Sequence, residues 1–489
     1  MKILFITPEA TPFAQVGGLA DVAGSLPKAL RKLGHDVRIV LPRYGCIQKK
    51  EDWKLDKNPL EVHLGEGRIL QAGLWEAKVP HTDIPVYLLE YNQYFERHEI
   101  YTGPWGDHSD NHERFTFLSR AGLDLCYHLD WIPDVIHCHD WPTGLVPVYL
   151  NTIERYKPLG QAATVFTIHS LRHQGVFGPE TLQFAGLPAW LLRNDGLECV
   201  GNINMLKGAL YHATKITAVS PHYAQEIRGP QFGCGLEDVL RFRGADLIGV
   251  LNGIDTDFWD PQTDKRLPAH FSTKDLSGKA LCKETLQKAF NLKKDPNIPI
   301  FGAVARLYDQ KGLDLLAAII PRLIAEMKIQ VIVVGAGDPT LEHLFSHYAN
   351  AYPGQVGAYI GYCPKLSHLV FSGADFFVMP SRFEPCGLTQ MYAMNYGTLP
   401  IARATGGLVD TIESYNEQEE TGTGFLFGEA STNGLYYTIG WACATYYDKP
   451  KAIKKLQKNA MQKEFSWDRS AKKYTDIYQW AIDARTRHH

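Results

Sequence analysis

A carboxylate, Glu384, lies in a stretch that the sequence predicts to be a loop between a strand and a helix. We name this stretch, residues 380–390, the carboxylate loop. It follows an apolar run, residues 374–379, that is typical of a buried strand, and it leads into residues 390–395, which are typical of a helix. Residues 387–389 stand at the predicted helix start, where backbone N–H groups lack acceptors within the helix and can bind an anion. The loop therefore combines a carboxylate with an anion-binding helix terminus.

Two cations, Arg306 and Lys311, lie in a second predicted strand-to-helix loop, residues 303–313, which we name the cation loop. We expect Arg306 at the strand end and Lys311 in the first helical turn, a geometry that brings both to one diphosphate. Opposite unit charges about 4 Å apart attract by roughly 4 kcal/mol at an effective dielectric near 20, before desolvation. A solvated pair of surface charges is the alternative. A carboxylate, two cations and a helix terminus suit a sugar carried on a diphosphate, which predicts a transferase that uses a nucleotide sugar.

A further strand-to-helix turn, near the start of the chain, has paired glycines. Residues 15–18, which we name the glycine loop, include Gln15, Gly17 and Gly18. Glycines let the backbone approach a phosphate or a sugar closely, although an ordinary strand-to-helix turn has the same pattern. Asp21 comes one turn later, where it can accept a hydrogen bond from a sugar hydroxyl or simply stabilise the helix start.

Histidines follow or occupy two predicted strands of the first half. His137 and His139 lie on one strand face, but no third ligand stands at a suitable spacing, so the sequence predicts no metal site. Asp140 and Trp141 at the strand end suit sugar recognition, and a hydrogen-bonded pair of core histidines is an equal alternative. His169 ends the next apolar strand, where its ring or its carbonyl could stabilise positive charge on a reacting sugar ring; a structural histidine is the alternative.

Two further features could contact a sugar. Asn252 opens a tight turn after a predicted strand, where it can bind a sugar or phosphate or serve the turn alone. A polar loop, residues 91–112, contains several aromatic side chains that could form a stacking surface for an acceptor sugar, with ordinary loop packing as an equal alternative. These aromatic residues are Tyr94, Phe95, Tyr101 and Trp105.

Composition restricts the class of protein. The chain has 489 residues, which predicts at least two domains, and a net charge of −3 without a basic stripe, which predicts no nucleic acid partner. No apolar run approaches the ~18–20 residues that a bilayer requires. The nine cysteines include no C-x-x-C pair, which favours a reducing compartment over a disulfide framework or a structural zinc site. Met1 leads straight into a predicted strand, which leaves no room for a targeting peptide, although a removed one would leave no trace.

Strand-like and helix-like segments alternate along the chain, which predicts two doubly wound α/β domains with ligands at the carboxyl ends of parallel strands. We expect domains at residues 1–258 and 259–464, and a terminal helical segment at 465–489 that packs back on the first domain. A polar stretch, residues 260–277, is the predicted linker and part of a hinge. The predicted strands are 3–7, 37–41, 86–89, 135–137, 163–168, 215–219, 247–251, 298–304, 330–334, 356–360, 375–379 and 399–402.

Together these motifs resemble the bacterial and plant glycogen and starch synthases, the family 5 glycosyltransferases of GT-B fold. The resemblance runs from the first strand to Trp467, and its most specific parts are the carboxylate loop, the cation loop and His137-x-His139-Asp140-Trp141. It implies two Rossmann-like domains with the active site in the interdomain cleft. It also implies retaining transfer of glucose from ADP-glucose or UDP-glucose to the 4-hydroxyl at the non-reducing end of an α-1,4-glucan such as glycogen, starch or a malto-oligosaccharide. No metal or other cofactor is implied.

The resemblance also assigns roles to residues. The catalytic residues it implies are His169, Arg306, Lys311 and Glu384. The donor-binding residues it implies are Gln15, Gly17, Gly18, Asp21, Asp140, Asn252, Tyr362, Cys386, Gly387, Leu388 and Thr389. Acceptor-binding residues are expected to be Tyr101, Trp105 and Trp141. The two cations would bind the diphosphate, Glu384 would orient the glucose, and the His169 carbonyl would support a cation-like transition state.

Two departures from the family pattern leave alternatives open. Gln15 stands where the family has the lysine of its K-x-G-G-L motif, and a neutral amide supplies no charge. The alternative function is therefore a weakly active glucan-binding or priming partner. Ser170 and residues 171–173 also differ from many members, which leaves the preferred glucan open. A third reading is an enzyme that makes a small disaccharide. We expect no membrane partner, and a location in a bacterial cytoplasm or, after removal of a transit peptide, in a plastid stroma.

Overall fold

The computed structural model describes residues 1–487. Each strand predicted from an apolar run is present in it, and the ends of each strand lie within two residues of those predicted. The described chain divides into two compact units. The first comprises Met1–Gly253 and the chain from Trp467 onward, and the second comprises Ile254–Ser466. No helix among the described residues combines the length and the apolar character that a bilayer-spanning helix needs.

The first unit contains a large, mostly parallel sheet. The strands of this unit are β1 Lys2–Ile6, β2 Asp36–Pro42, β3 Lys54–Leu55, β4 Leu60–His63, β5 Ile69–Lys78, β6 Pro85–Glu90, β7 Thr102–Gly103, β8 Gly106–Asp107, β9 Val135–His139, β10 Ala163–Ile168, β11 Val176–Phe177, β12 Glu198–Cys199, β13 Asn202–Asn204, β14 Lys215–Ala218 and β15 Leu247–Gly249. The main sheet has the order β15-β14-β10-β9-β1-β2-β6-β5-β3, with β4 also paired to β5. From β15 to β6 the pairs are parallel, and β5 runs antiparallel to β6.

Helices cover the main sheet of the first unit. They are α1 Gly18–Lys32, α2 Asn92–Phe95, α3 Asn111–His128, α4 Leu145–Asn151, α5 Glu180–Ala185, α6 Met205–His212, α7 Pro221–Glu226, α8 Glu237–Arg243 and, from the far end of the chain, α17 Trp467–Arg487. The central strands are covered on both faces, as in β10, where every residue is buried, including the polar Thr164 and Thr167.

The terminal helix α17 is built into the first unit. Tyr474 and Tyr478 are fully buried, and the Tyr478 hydroxyl lies 2.8 Å from Nδ1 of His137 in β9. Thr475 Oγ1 lies 3.1 Å from Nε2 of His35. Residues 488 and 489, which the predicted terminal segment includes, lie outside the described residues.

The second unit contains one six-stranded parallel sheet in the order β18-β17-β16-β19-β20-β21. Its strands are β16 Ile300–Val304, β17 Gln330–Gly335, β18 Val356–Ile360, β19 Phe376–Met379, β20 Leu399–Arg403 and β21 Phe425–Phe427. Its helices are α9 Ser277–Ala289, α10 Leu313–Glu326, α11 Pro339–Ala351, α12 Pro364–Gly373, α13 Thr389–Asn395, α14 Gly407–Thr411, α15 Thr432–Asp448 and α16 Pro450–Met461. The two ends of this unit meet, because Ile254 N–H donates to the Phe465 carbonyl at 2.8 Å.

The prediction of a linker at residues 260–277 was wrong, because this polar stretch is packed into the second unit. Asp264 is buried, and its Oδ2 accepts the Tyr396 hydroxyl at 2.7 Å and lies 2.5 Å from His368 Nδ1. The Trp259 ring stacks on the ring of His368 at a centroid distance of 4.2 Å. Buried polar groups with partners explain why a low apolar content did not mark a flexible segment.

Candidate functional site

In the first group of candidate residues, the glycine loop and Tyr101 contact a buried carboxylate, Glu9, that lies three residues after β1. Glu9 is 3% exposed, and its Oε2 accepts the N–H groups of Val16 at 2.5 Å and Gly17 at 3.1 Å. Its Oε1 accepts the Tyr101 hydroxyl at 2.5 Å. Sequence reasoning did not assign Glu9 a role. The available signal was a carboxylate just past a buried strand and eight residues before paired glycines.

The glycine loop leads into α1, which begins at Gly18. Gly17 has an extended backbone with φ −143°, and a Cβ added there would meet no described atom within 4 Å. Neither conformation nor packing within the described residues therefore requires glycine at this position. Open space at Gly17 is compatible with the predicted close approach of a ligand.

Gln15 pairs with Asp21. The Gln15 amide Nε2 lies 3.3 and 3.2 Å from the two carboxylate oxygens. Burial, together with the negative charge of Glu9, raises the pKa of Asp21 to about 6, although the Gln15 hydrogen bond acts in the opposite direction. Gln15 thus contributes a hydrogen bond and no charge at the position where the resemblance implies a lysine.

The two histidines of β9 have different partners. His137 is a satisfied core residue, because its ring nitrogens lie 2.8 Å from the Tyr478 hydroxyl and 2.6 Å from Thr167 Oγ1. His139 Nδ1 lies 3.0 Å from Nε2 of His169. Burial lowers the pKa of His169 to about 3 and holds that of His139 well below its ordinary value. Both rings of the His139–His169 pair are therefore neutral near pH 7. Residues 1–487 contain no cluster of three or more metal-ligating side chains.

Asp140 connects β9 to the loop that carries His169. Its backbone has φ +54°, and its Oδ1 accepts the His169 N–H at 2.7 Å. Burial raises the pKa of Asp140 to about 8, against the effect of backbone hydrogen bonds from His169 and Ser170. The carboxyl is therefore largely protonated at neutral pH, and in that form it can donate as well as accept a hydrogen bond.

The aromatic residues of the predicted acceptor surface separate into buried and exposed ones. Tyr94 and Phe95 are core residues, so the suggestion that they stack on a sugar was wrong. Tyr101 donates to Glu9, and its ring centroid lies 6.5 Å from that of Trp141, which is itself nearly buried. Trp105 is 99% exposed in the turn between β7 and β8. Trp105 is thus the aromatic residue of this group with a fully available face.

Asn252 is 6% exposed, and its Oδ1 is buried without a hydrogen-bond partner among the described residues. A buried acceptor without a partner costs about 1–3 kcal/mol. An unpaired amide oxygen needs a hydrogen-bond donor, and a sugar hydroxyl, as in the predicted binding of a sugar, would supply one.

The second group of candidate residues lies in the second unit, where Lys311 pairs with Glu384. Lys311 Nζ lies 2.8 Å from both carboxylate oxygens, and Ser381 Oγ donates to Oε2 at 2.9 Å. Glu384 is 5% exposed. The structure therefore brings the predicted cation and the predicted carboxylate into direct contact.

The cation loop and the carboxylate loop pack on each other. The Arg382 N–H donates to the Gln310 carbonyl at 2.8 Å. Gly312 has φ +66°, and a Cβ there would lie 2.0 Å from the Pro380 carbonyl oxygen, so only glycine fits. Lys311 ends a short 3₁₀ turn, Asp309–Lys311, so the predicted place of Lys311 in the first helical turn was wrong. Helix α10 begins later, at Leu313.

Arg306 differs from Lys311 in its surroundings. It is exposed, its guanidinium lies 5.7 Å from the centre of the Tyr308 ring, and it forms no ion pair within residues 1–487. Tyr362, predicted to bind the donor, is 85% exposed just after β18. Both side chains are available to a ligand.

The end of the carboxylate loop is held by Gln390. The Gln390 amide donates to the carbonyls of Cys386 at 3.1 Å and Gly387 at 2.9 Å, and Gly387 has φ +74°. Helix α13 begins at Thr389, so the backbone N–H groups of residues 387–389 stand at a helix start, as predicted. The Cys386 side chain is buried.

Comparison with known proteins identifies the family. Residues 2–242 match the family described as "Starch synthase catalytic domain", and residues 283–460 match "Glycosyl transferases group 1". The chain is 46% identical over 488 residues to "Glycogen synthase 1" of Geobacter sulfurreducens, covering 99% of this chain and 97% of the relative. It is 42% identical to "Glycogen synthase" of Treponema denticola, covering 99% of each chain.

Solved structures agree in fold. The catalytic domain of starch synthase IV from Arabidopsis thaliana, bound to ADP and acarbose, superposes with a TM-score of 0.90 at 34% identity, covering 98% of this chain and 99% of that chain. Sucrose-phosphate synthase from Thermosynechococcus elongatus, at 19% identity and a TM-score of 0.59 over 99% of both chains, shares the fold alone. The predicted fold class, two-domain α/β of GT-B type, is confirmed. Identity of 46% to a glycogen synthase over nearly the whole length shows that this chain belongs to the glycogen and starch synthase family and is a glycosyltransferase that synthesises glucan.

Proposed function

We propose that this chain is a glycogen synthase that transfers glucose, with retention, from ADP-glucose to the 4-hydroxyl at the non-reducing end of an α-1,4-glucan. The pairing of Lys311 with Glu384 carries the proposal, because it joins a cation suited to a leaving diphosphate with a carboxylate suited to a sugar. We propose ADP-glucose rather than UDP-glucose as the donor, and the ADP bound to the Arabidopsis relative supports this choice. Acarbose in the same relative supports an oligosaccharide acceptor.

In the proposed reaction the bond between glucose C1 and the diphosphate oxygen breaks, and a bond from C1 to the acceptor oxygen forms on the same face. The proton of the acceptor hydroxyl passes to the departing phosphate oxygen, which leaves ADP and a glucan longer by one glucose. No carboxylate nucleophile is invoked. The rate then depends on positioning and on stabilisation of charge.

Two cations would stabilise the leaving diphosphate, without a metal cofactor. A lysine ammonium has three N–H donors, and in Lys311 two of them can serve the two oxygens of Glu384, which leaves one for a phosphate. Arg306, which has no ion-pair partner among the described residues, would supply a bidentate contact. The N–H groups of residues 387–389 would bind the distal phosphate.

On the sugar side, Glu384 would orient the glucose and the His169 carbonyl would face the developing positive charge. The His169 ring itself takes no direct part in this role. Its pKa near 3 keeps it uncharged at neutral pH, and its Nε2 is engaged by His139. A neutral ring adds no repulsion to a cation-like transition state, and it supplies no proton.

The second candidate function, a weakly active glucan-binding or priming partner, is favoured by one observation. Gln15 replaces the family lysine, and its amide is already engaged by Asp21. We nevertheless favour the synthase, because the other implied catalytic residues, His169, Arg306, Lys311 and Glu384, are all present. We also propose a bacterial cytoplasmic location, which the bacterial relatives support.

The deciding experiment measures glucose incorporation from ADP-glucose and from UDP-glucose, each with and without glycogen. Incorporation into glycogen that α-1,4-specific hydrolysis releases again supports the synthase and identifies the donor. Glycogen binding without turnover from either donor supports the priming partner. A small soluble product would instead support synthesis of a disaccharide.

A further inference from the structure

We propose that Glu9 is a positioning residue that joins the glycine loop to the aromatic loop, residues 91–112, so that donor use and acceptor use depend on each other. The inference rests on the proposed function for the meaning of the two loops. It goes beyond that function because it assigns to one buried carboxylate the coupling between them.

The glycine loop depends on Glu9 through its backbone. Oε2 accepts two successive N–H groups, from Val16 at 2.5 Å and Gly17 at 3.1 Å, directly before α1 begins at Gly18. Charge-assisted hydrogen bonds of this kind are roughly twice as strong as neutral ones. The path of the backbone into α1 is therefore fixed by a side chain on the neighbouring strand end.

The aromatic loop depends on Glu9 through Tyr101. Its hydroxyl donates to Oε1 at 2.5 Å, and its ring packs against Phe115 at a centroid distance of 5.8 Å. Arg114, which is fully buried, donates to the carbonyls of Tyr94 and Ile100, each at 2.7 Å. The backbone just before Tyr101 is thus anchored to α3, while the tip of Tyr101 is anchored to Glu9.

Burial makes the link specific. A carboxylate in the interior requires donors on its oxygens, and Glu9 takes them from both loops. Displacement of either loop removes a donor from the same buried charge. The cost of that loss opposes movement of one loop without the other.

Tyr44 provides a matched control. Its side chain is also fully buried, and its hydroxyl donates at 2.8 Å to the carbonyl of Pro8, the residue before Glu9. Tyr44→Phe and Tyr101→Phe each remove one buried tyrosine hydroxyl from the same region. Of these two substitutions, only Tyr101→Phe removes a hydrogen-bond donor to the Glu9 carboxylate.

The test compares Tyr101→Phe, Tyr44→Phe, Glu9→Gln and the two double variants that contain Glu9→Gln, in the full chain. We expect Tyr101→Phe to raise KM for ADP-glucose and KM for glycogen together by about fivefold or more. Tyr44→Phe should lower Tm and leave both KM values within about twofold. The effects of Glu9→Gln and Tyr101→Phe should combine non-multiplicatively, whereas those of Glu9→Gln and Tyr44→Phe should multiply.

Amide hydrogen exchange supplies a readout that needs no turnover. Tyr101→Phe should speed exchange in residues 15–18, and Tyr44→Phe should not. Wild-type chain that transfers no glucose would overturn the proposed function, while the exchange result would still decide the link between the loops. Equal effects of the two tyrosine variants on KM and on exchange would overturn the role of Glu9.

Discussion

The ammonium of Lys311 lies 2.8 Å from both carboxylate oxygens of Glu384, in an arrangement that also includes the Ser381 hydroxyl. The two residues come from different loops that follow different strands of one parallel sheet. Lys311 therefore has a structural task, to neutralise a buried carboxylate, in addition to the proposed contact with the leaving diphosphate. Arg306, in the same cation loop, has no such task, and the two cations should respond differently to substitution.

Lys311→Met should reduce both stability and turnover. It leaves the carboxylate of Glu384 buried without its cation, which costs about 3 kcal/mol of the free energy of unfolding. Turnover should fall by about 100-fold or more, because the leaving diphosphate loses a cation that stabilises its negative charge. Chemical denaturation and initial rates check the two effects. Arg322→Met, which breaks an exposed ion pair with Glu326 in α10, is the control and should stay within about 0.5 kcal/mol. Unchanged stability in Lys311→Met would contradict the structural task.

Arg306→Ala should reduce turnover by about 100-fold or more while the free energy of unfolding changes by no more than about 0.5 kcal/mol. The reason is that Arg306 is exposed and has no ion-pair partner among residues 1–487. The measurement is kcat/KM for the nucleotide sugar beside a denaturation curve. Wild-type kcat/KM in this variant would remove Arg306 from the proposed diphosphate contacts.

Gln15→Lys should shift the acid limb of the activity profile, the loss of rate as the pH falls, to lower pH. The pKa of Asp21 is raised to about 6 by burial and by Glu9, so in wild type the ionised form is lost as the pH falls through 6. An ammonium at position 15 favours the ionised carboxylate and lowers that pKa. Gln15→Met is the matched variant without charge; it removes a hydrogen bond that lowers the pKa and should shift the limb upward. Rates between pH 5 and pH 8 in all three proteins test both directions.

The raised pKa of Asp21 affects stability in the opposite direction: ionisation of this carboxyl is expected to favour activity but to destabilise the fold. Because the folded state holds the Asp21 proton more tightly than the unfolded state, its ionisation above pH 6 destabilises the fold. The contribution of Asp21 to stability is therefore fully present below its ordinary pKa near 4 and is lost as the pH rises through 6.

For the activity prediction, an acid limb that is identical in wild type, Gln15→Lys and Gln15→Met would show that a group other than Asp21 controls it.

Trp105→Ala should weaken glycogen affinity by about three- to tenfold without a change in Tm. The side chain is 99% exposed in the turn between β7 and β8, so its loss leaves no cavity. Stacking on a sugar face is the contact removed. Tyr156→Ala, at a side chain that is 89% exposed elsewhere in the first unit, is the control. Equal affinity in Trp105→Ala and wild type would remove Trp105 from the acceptor residues.

Continuous apolar runs predicted the buried parallel strands well, because both of their faces are covered. The antiparallel strands β3, β4 and β5 lack such runs and were missed. In β5, buried residues such as Ala72, Leu74 and Ala77 stand among exposed ones, including Glu76, so no apolar run marks the strand. The stretch 260–277 misled in the other direction, because Asp264 is polar and yet buried by its partners.

Within the candidate site, residue types and spacing indicated the loops but not the partners. The pairing of Lys311 with Glu384 joins positions 73 residues apart, and no local pattern contains it. The neutral state of His169 depends on burial beside His139, which is a tertiary property. Glu9 was overlooked because one carboxylate after a strand is common, and the Tyr101 hydroxyl that binds it comes from a loop 92 residues away.

Helix α17 imposes an order on how this protein can be made. The first unit begins with residue 1, yet Tyr474 and Tyr478, which fill its interior beside β9, leave the ribosome after the whole of the second unit. During synthesis the groove that α17 fills, including the ring of His137, stays uncovered until α17 has been made. The second unit, which is continuous in sequence, has no such delay and can complete its sheet first. Synthesis of α17, rather than synthesis of the first half, is therefore the step that completes the first unit.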